Sequence, residues 1–272
     1  MAKKKTPNED AYNRIIERIF FQHFRPGMQS FEFERDEISE EARKLKVSAP
    51  KNLGDVVYSF RYRRPFPESV RKTCSEGKEW IIRTIGAAKY RFLQTPISNI
   101  QPQAGRYQIK VPEATPEIVA QHSLTDEQAL LAKLRYNRLV DIFTGLTTYS
   151  LQNHLRTQLD GVQMEIDELY VGIGKSGAQY IIPVQAKAGT DKIGRIQLEQ
   201  DMAFCQRKFP QLTCRPVAAQ FLDDDTIALF ELTVAEDRVR IVEERHYKLV
   251  PASEISSADL ELMRKSADGN PS

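Results

Sequence analysis

Apolar residues recur along the chain with two different rhythms. Between about Glu9 and Phe24, Ile15, Ile16, Ile19, Phe20 and Phe21 cluster toward one side at near-helical spacing. Arg25-Pro26-Gly27 ends the run, so the pattern predicts an amphipathic helix. A short alternating piece follows with Phe31 and Phe33 on one face, then a second helix over about Asp36 to Lys46. Pro50 breaks the chain. A third helix begins near Asn52, turning Leu53, Val56, Val57 and Phe60 inward and Ser59, Arg61, Arg63 and Arg64 outward. Glu79 to Ile85 and Lys89 to Leu93 are β-rich and flank Gly86-Ala87-Ala88, the signature of a hairpin. From Gln94 to His122 the chain is rich in Pro, Gln and Ser. Only a short strand at Tyr107 to Val111 and a helix start at Thr115-Pro116-Glu117 stand out there.

The second half opens on a long helix with Thr125 and Gln128 at capping-box spacing and Leu130, Leu131, Leu134, Leu139 and Ile142 as apolar positions. Gly145 interrupts it. Thr148 to Leu159 reads as another helical run, its polar side carrying Gln152, Asn153, His154 and Arg156. The period then changes to two. Met164 to Gly172 is a strand, Lys175-Ser176-Gly177 a turn, and Gln179 to Lys187 the returning strand. A helix over Ile193 to Lys208, strands at Cys214 to Phe221 and Thr226 to Leu232, a turn at Asp223-Asp224-Asp225 and a further strand at Arg238 to His246 follow. Ser256 and Asp259 stand at capping spacing before a C-terminal helix. The expected organisation is a first domain over residues 1–95, a linker over 96–122 and a second domain over 123–272.

Three helices followed by a two-stranded hairpin resemble a winged helix-turn-helix domain. That resemblance implies that the third helix enters a DNA groove and the hairpin lies along the backbone. Tyr58, Ser59, Arg61, Tyr62, Arg63 and Arg64 would then face DNA, with Arg83, Lys89 and Arg91 on the wing. Charge agrees in distribution, not in total. The net charge is only +2, but Lys51 to Ile100 holds ten Lys/Arg against four Asp/Glu, a basic surface suited to phosphate.

The second domain carries the chemical candidates. Asp167 stands on the first strand of the second hairpin. Gln185 and Lys187 stand two apart on the returning strand, so their side chains share a face. The Asp167 and Gln185 oxygens, with the Ala186 carbonyl, can hold a hard cation, and Lys187 beside it can offset charge on a phosphoryl group. An Asp on one strand and Gln185-Ala186-Lys187 on the next, inside α-β-β-β-α-β order, resemble the PD-(D/E)xK nucleases and in particular the Mrr-like restriction endonucleases, over about residues 125–235. The resemblance implies a mixed sheet flanked by helices, dependence on Mg²⁺ or Mn²⁺, and phosphodiester hydrolysis. No Pro precedes Asp167, and Gln185 replaces the usual second carboxylate. Glu165, on the same strand face, is the candidate helper at the metal. Asp141 on the preceding helix is a second candidate, and Glu168 faces away. Gln152, His154 and Arg156 are candidate DNA contacts.

Gly172-Ile173-Gly174-Lys175-Ser176 looks like part of a phosphate loop. Leu169 stands where the first glycine is needed, so Gly174 and Gly177 are turn residues. Cys74, Cys205 and Cys214 are too few and too scattered for a zinc site or disulfide framework, and a reducing, cytoplasmic setting is expected. No run reaches the ~20 apolar residues of a membrane helix. The expected class is mixed α/β: a winged-helix-like α+β domain, then a restriction-endonuclease-like core. The expected function is a metal-dependent endonuclease of restriction or defence type acting on double-stranded DNA, with a homodimer as the hypothesis for cutting both strands. The rivals are a DNA-binding transcriptional regulator with an inactive nuclease-like domain, and a structure-specific junction or repair nuclease.

Overall fold

A computed structural model describes residues 7–48, 52–62, 64–97, 100–122, 127–159, 162–187, 193–222, 226–235 and 238–268. The chain is a mixed α/β protein with two compact units. One comprises Met1–Ser98, Gln158–Gln163 and Glu236–Arg238, the other Asn99–Thr157, Met164–Ala235 and Val239–Ser272.

In the first unit the order is α1 (Pro7–His23), β1 (Ser30–Glu34), α2 (Arg35–Lys44), α3 (Gly54–Tyr62), α4 (Glu68–Arg71), β2 (Lys78–Gly86) and β3 (Lys89–Pro96). The three strands form an antiparallel sheet in the order β1-β3-β2. Ile15, Ile16, Ile19 and Phe20 of α1 are wholly buried, as their spacing requires. Phe20 sits at the centre of an aromatic cluster. Phe31, Trp80 and Phe92 meet it edge-on, each at 5.2 Å between ring centroids, and Phe24 stacks on it at 5.0 Å. Gly27, at φ 92°, takes the left-handed turn that releases the chain from α1 toward β1. A capping box starts α2, the Glu34 N–H donating to Glu37 Oε1 at 2.8 Å.

Glu41 on α2 is 2% exposed and accepts from Arg18 Nε at 3.1 Å and Lys44 Nζ at 2.6 Å. Burial pushes its carboxyl up, but the hydrogen bonds from Lys44 and Arg18 outweigh that and bring it below its ordinary value. The partners are half-exposed, so water can solvate them once the carboxylate is gone. Glu41→Ala is therefore expected to cost about 1–2 kcal/mol in urea denaturation at neutral pH, less than the loss of a fully buried pair. Because the folded-state value is depressed, this contribution is present above the unfolded carboxyl's pKa and is lost as pH falls through the lowered folded value. The gap between native and variant should close in acid.

The second unit contains, apart from the ends of β5, β6 and β11 that fall in the first, β4 (Gln108–Pro112), α5 (Glu117–His122), α6 (Glu127–Tyr136), α7 (Leu139–Thr144), β5 (Thr147–Leu159), β6 (Val162–Ile173), β7 (Gln179–Lys187), α8 (Arg195–Lys208), β8 (Thr213–Cys214), β9 (Val217–Phe221), β10 (Thr226–Ala235), β11 (Arg238–Val250) and α9 (Ser257–Asp268). Its eight-stranded sheet runs β4-β11-β10-β9-β7-β6-β5, with β8 on β7. β6–β7 and β9–β10 pair antiparallel, while β7–β9 and β11–β4 pair parallel, the β7-to-β9 connection passing through α8. One face packs Leu130, Leu131, Leu134 and Leu139 of α6 and α7 on Tyr170, Ile182, Val184 and Ala186. The other packs Leu198 of α8 with Ile193 on Ala218, Ala228 and Phe230. Ser256 and Asp259 make the expected box at the start of α9, with Asp259 N–H donating to Ser256 Oγ at 3.1 Å and Ser256 N–H to Asp259 Oδ2 at 2.8 Å.

Two expectations change. Thr148 to Leu159 is not a helix but the edge strand β5. Tyr149, Leu151, Leu155 and Leu159 are separated only by even intervals, which fits alternation better than a 3.6-residue turn. The span read as a linker contributes β4 to the sheet, with Tyr247 paired to Ile109 and Leu249 to Val111. Gly172 to Gly177 leads into a hairpin turn, with Gly177 N–H donating to the Gly174 carbonyl and Gly177 at φ 82°, so no phosphate loop forms. Thr125 and Asp223-Asp224-Asp225 lie outside the described residues. Among the described residues no helix is long and apolar enough to cross a membrane.

Candidate functional site

The antiparallel register of β6 and β7 runs from Ile173↔Gln179 to Glu168↔Val184. Beyond that pair the Ala186 N–H donates to Asp167 Oδ2 at 2.9 Å, so a side chain stands in for β6 backbone where the strands part. Alternation puts Glu165 and Asp167 of β6 on the same face as Gln185 and Lys187 of β7. Glu168 points to the opposite face, where it is wholly buried against Arg135 of α6, at 3.0 Å, and Ser150, at 2.7 Å. Both strands are interior, β7 flanked by β6 and β9 and β6 by β7 and β5, in keeping with the burial of Gln185 at 2% exposure and Asp167 at 8%.

Gln185 Nε2 donates to Asp201 Oδ2 of α8 at 2.9 Å. That leaves Gln185 Oε1 buried and, among the described residues, without a donor. Lys187, 15% exposed at its side chain, places Nζ 3.1 Å from Oε1 of Glu127, the first residue of α6. Asp167, Gln185, Lys187, Glu127 and Asp201 thus converge from four elements. Burial drives the Asp167 carboxyl above its ordinary range. Lys187 and the Ala186 N–H pull it back in part, and Glu127 and Glu165 push it further up. Asp201, fully enclosed, lies well above its ordinary range for the same first reason, burial.

The donors fit a hard divalent cation in chemistry. All are oxygens, one is a buried amide oxygen to which no described residue donates, and the burial that raises the Asp167 carboxyl is a cost that a bound cation would offset by favouring its charged form. A residue in an extended strand points its N–H and C=O the same way, so the Ala186 carbonyl faces the gap that its N–H enters. Among the described residues no three His, Cys, Asp or Glu side chains are grouped to hold a metal, so the amide and carbonyl oxygens have to complete the set.

Other expected participants sit elsewhere. Glu165 is on the right face but bound to Arg156 at 3.2 Å and His154 at 3.4 Å, which ties up two of the expected DNA contacts. His154, at φ 45°, also contacts Gln128, and Gln152 is exposed on β5. Asp141 binds the Thr148 N–H and hydroxyl at 2.8 and 2.9 Å and Arg138 at 2.6 Å, and so fixes the α7–β5 junction. Glu127, and not Asp141, is the helix carboxylate that meets the strand end, through its ion pair with Lys187. No local signal marks it, because its place depends on how α6 lies on the sheet. Asp201 did leave a trace: it falls on the row Leu198, Asp201, Cys205 that α8 buries, a carboxyl where an apolar residue is the rule.

The first unit corrects its expected DNA surface. Ser59 is buried at 7% exposure and cannot reach a phosphate. Arg61 donates to Thr84 Oγ1 at 3.0 Å, and the Arg64 guanidinium lies over Tyr12 and Phe60 at 5.1 and 5.2 Å. Lys89 and Arg91 stand opposite Glu34 and Glu32 across β1–β3, at 3.7 and 2.5 Å. Arg83 is half-buried, and Arg63 lies outside the described residues. Tyr58, 45% exposed, and Asp55 are on the solvent face of α3.

Compared with protein-family models, with curated proteins and with solved structures, the chain gives no match.

Proposed function

We propose that the protein is a divalent-metal-dependent endonuclease hydrolysing phosphodiester bonds in duplex DNA. The observation that carries the reading is the meeting, on one sheet face, of the raised Asp167 carboxyl, the unsatisfied Gln185 oxygen and the Lys187 ammonium. Asp167, Gln185 and the Ala186 carbonyl would hold Mg²⁺ or Mn²⁺, with Glu127 as the further carboxylate. The cation, when bound, supplies Lewis-acid charge at the phosphoryl oxygens. Lys187 supplies the second positive charge. Its ion pair with Glu127 keeps Nζ at the strand end, from which it can contact a non-bridging oxygen and offset the charge that grows as water attacks. Burial of Asp167 and Gln185 limits competition from bulk water for these oxygens.

Duplex DNA as substrate rests on the first unit's helix and hairpin order and on its local excess of basic residues. Its arginines are largely engaged within the unit, so its contribution is positioning along the backbone and not base reading. Restriction or defence is the role that suits an endonuclease with such a module.

Purified protein with supercoiled plasmid is expected to nick or linearise it in Mg²⁺ or Mn²⁺ and to be inert in chelator. Retarded plasmid without strand breaks in either metal would replace the enzyme reading with the DNA-binding regulator. Faster cutting of branched than linear duplex would make it a junction nuclease.

A further inference from the structure

We infer that Asp201 is the positioning residue that selects which end of the Gln185 amide faces the metal-binding oxygens, an inference that rests on the endonuclease reading. A glutamine amide has two ends of nearly equal shape. One is an acceptor and one a donor, and only the oxygen can hold a cation. Which end faces the site is decided by what the other end meets. Here it meets Asp201 Oδ2 at 2.9 Å, inside the contact between α8 and the sheet. An Asp201 oxygen that accepts the amide N–H holds the NH₂ end of Gln185 on the α8 side, so the oxygen end is the one left for the site. This orientation leaves Oε1 buried and, among the described residues, without a donor, on the sheet face that Gln185 shares with Asp167.

The cost of the arrangement is visible. Gln185 and Asp201 are each 2% exposed, and Asp201 keeps its own Oδ1 without a partner among the described residues. An apolar side chain on this row of α8, continuing Leu198 and Cys205, would pack without that cost. It would also release the amide to turn its NH₂ toward the site. Asp201 thereby compensates for the missing second carboxylate: a glutamate at 185 would present an oxygen in either orientation, whereas a glutamine does so only when held.

The test is a double-mutant cycle on Mn²⁺ affinity, read by calorimetry and by the electron paramagnetic resonance signal of free Mn²⁺, without DNA. Asp201→Ala is expected to weaken Mn²⁺ binding by roughly tenfold or more, as loss of an outer-shell partner does. Asp201→Asn, whose amide can accept the Gln185 N–H but can also donate to its oxygen, is expected to weaken binding less than Asp201→Ala does. In a Gln185→Glu background, Asp201→Ala is expected to have little effect, because both ends of the carboxylate are oxygens. Circular dichroism of each variant confirms folding, and Asp201→Ser replaces Asp201→Ala should the alanine variant not fold. Equal loss in both backgrounds, or native affinity in Asp201→Ala, would overturn the inference while leaving the metal site. Absence of Mn²⁺ binding by the native protein would instead overturn the endonuclease reading and this inference with it.

Discussion

Asp167→Ala should cut plasmid roughly a thousandfold more slowly than the native protein in Mg²⁺, with DNA retention on a native gel unchanged. The size follows from what Asp167 does. Its carboxylate is the buried charged oxygen donor that β6 places where β6 and β7 part, and the neutral Gln185 cannot replace that charge. The effect on folding should be small. Alanine removes a carboxyl whose burial is unfavourable and deprives the Ala186 N–H of one acceptor, two changes that offset to within about 1–2 kcal/mol. Lys187→Ala should also suppress cutting, but it frees Glu127 and so should leave metal affinity equal or higher. Kinetics on supercoiled DNA, paired with urea denaturation, check both. Native cutting rates in the two variants would show that the reaction occurs elsewhere.

The next residue along β6 should behave in the opposite way. Glu168→Ala is expected to destabilise the second unit by about 3 kcal/mol. Glu168 is wholly buried on the α6 face, and Arg135 and Ser150 both spend hydrogen bonds on it. Removing it leaves a guanidinium only 37% exposed beside a new cavity. Chemical denaturation would read the loss, and the metal affinity of the folded fraction should be native. A change below about 1 kcal/mol would mean that water reaches Arg135 and Ser150 and satisfies them. Adjacent residues on one strand thus separate chemistry from stability, because alternation sends them to different faces.

Much of this was legible before any coordinates. α1 announced itself through Ile15, Ile16, Ile19 and Phe20, and the hairpin of β2 and β3 through its β-rich flanks and small-residue turn. The shared face of Gln185 and Lys187 follows from counting by twos, and the β6–β7 register adds Asp167 to it. β5 was misread because four apolar residues at even spacing on a polar strand can be forced onto a helical wheel, and because an edge strand lacks the continuous apolar run of an interior one. The arginines of the first unit have partners that the sequence does not reveal. A sequence shows charge, but not whether a glutamate stands across the sheet, as Glu32 does for Arg91. Glu127 joins Lys187 over 60 residues of chain, a pairing that only the packing of α6 creates.

The place of β4 has a practical meaning for dissecting the molecule. A fragment begun at residue 123, where periodicity seems to restart, would strip away the segment that zips alongside β11. The backbone amides and carbonyls of Tyr247 to Val250 would then lie open, inviting another chain to add itself there. Such a fragment should clump in solution even with its chemistry intact, and a start near residue 99 should spare it that fate.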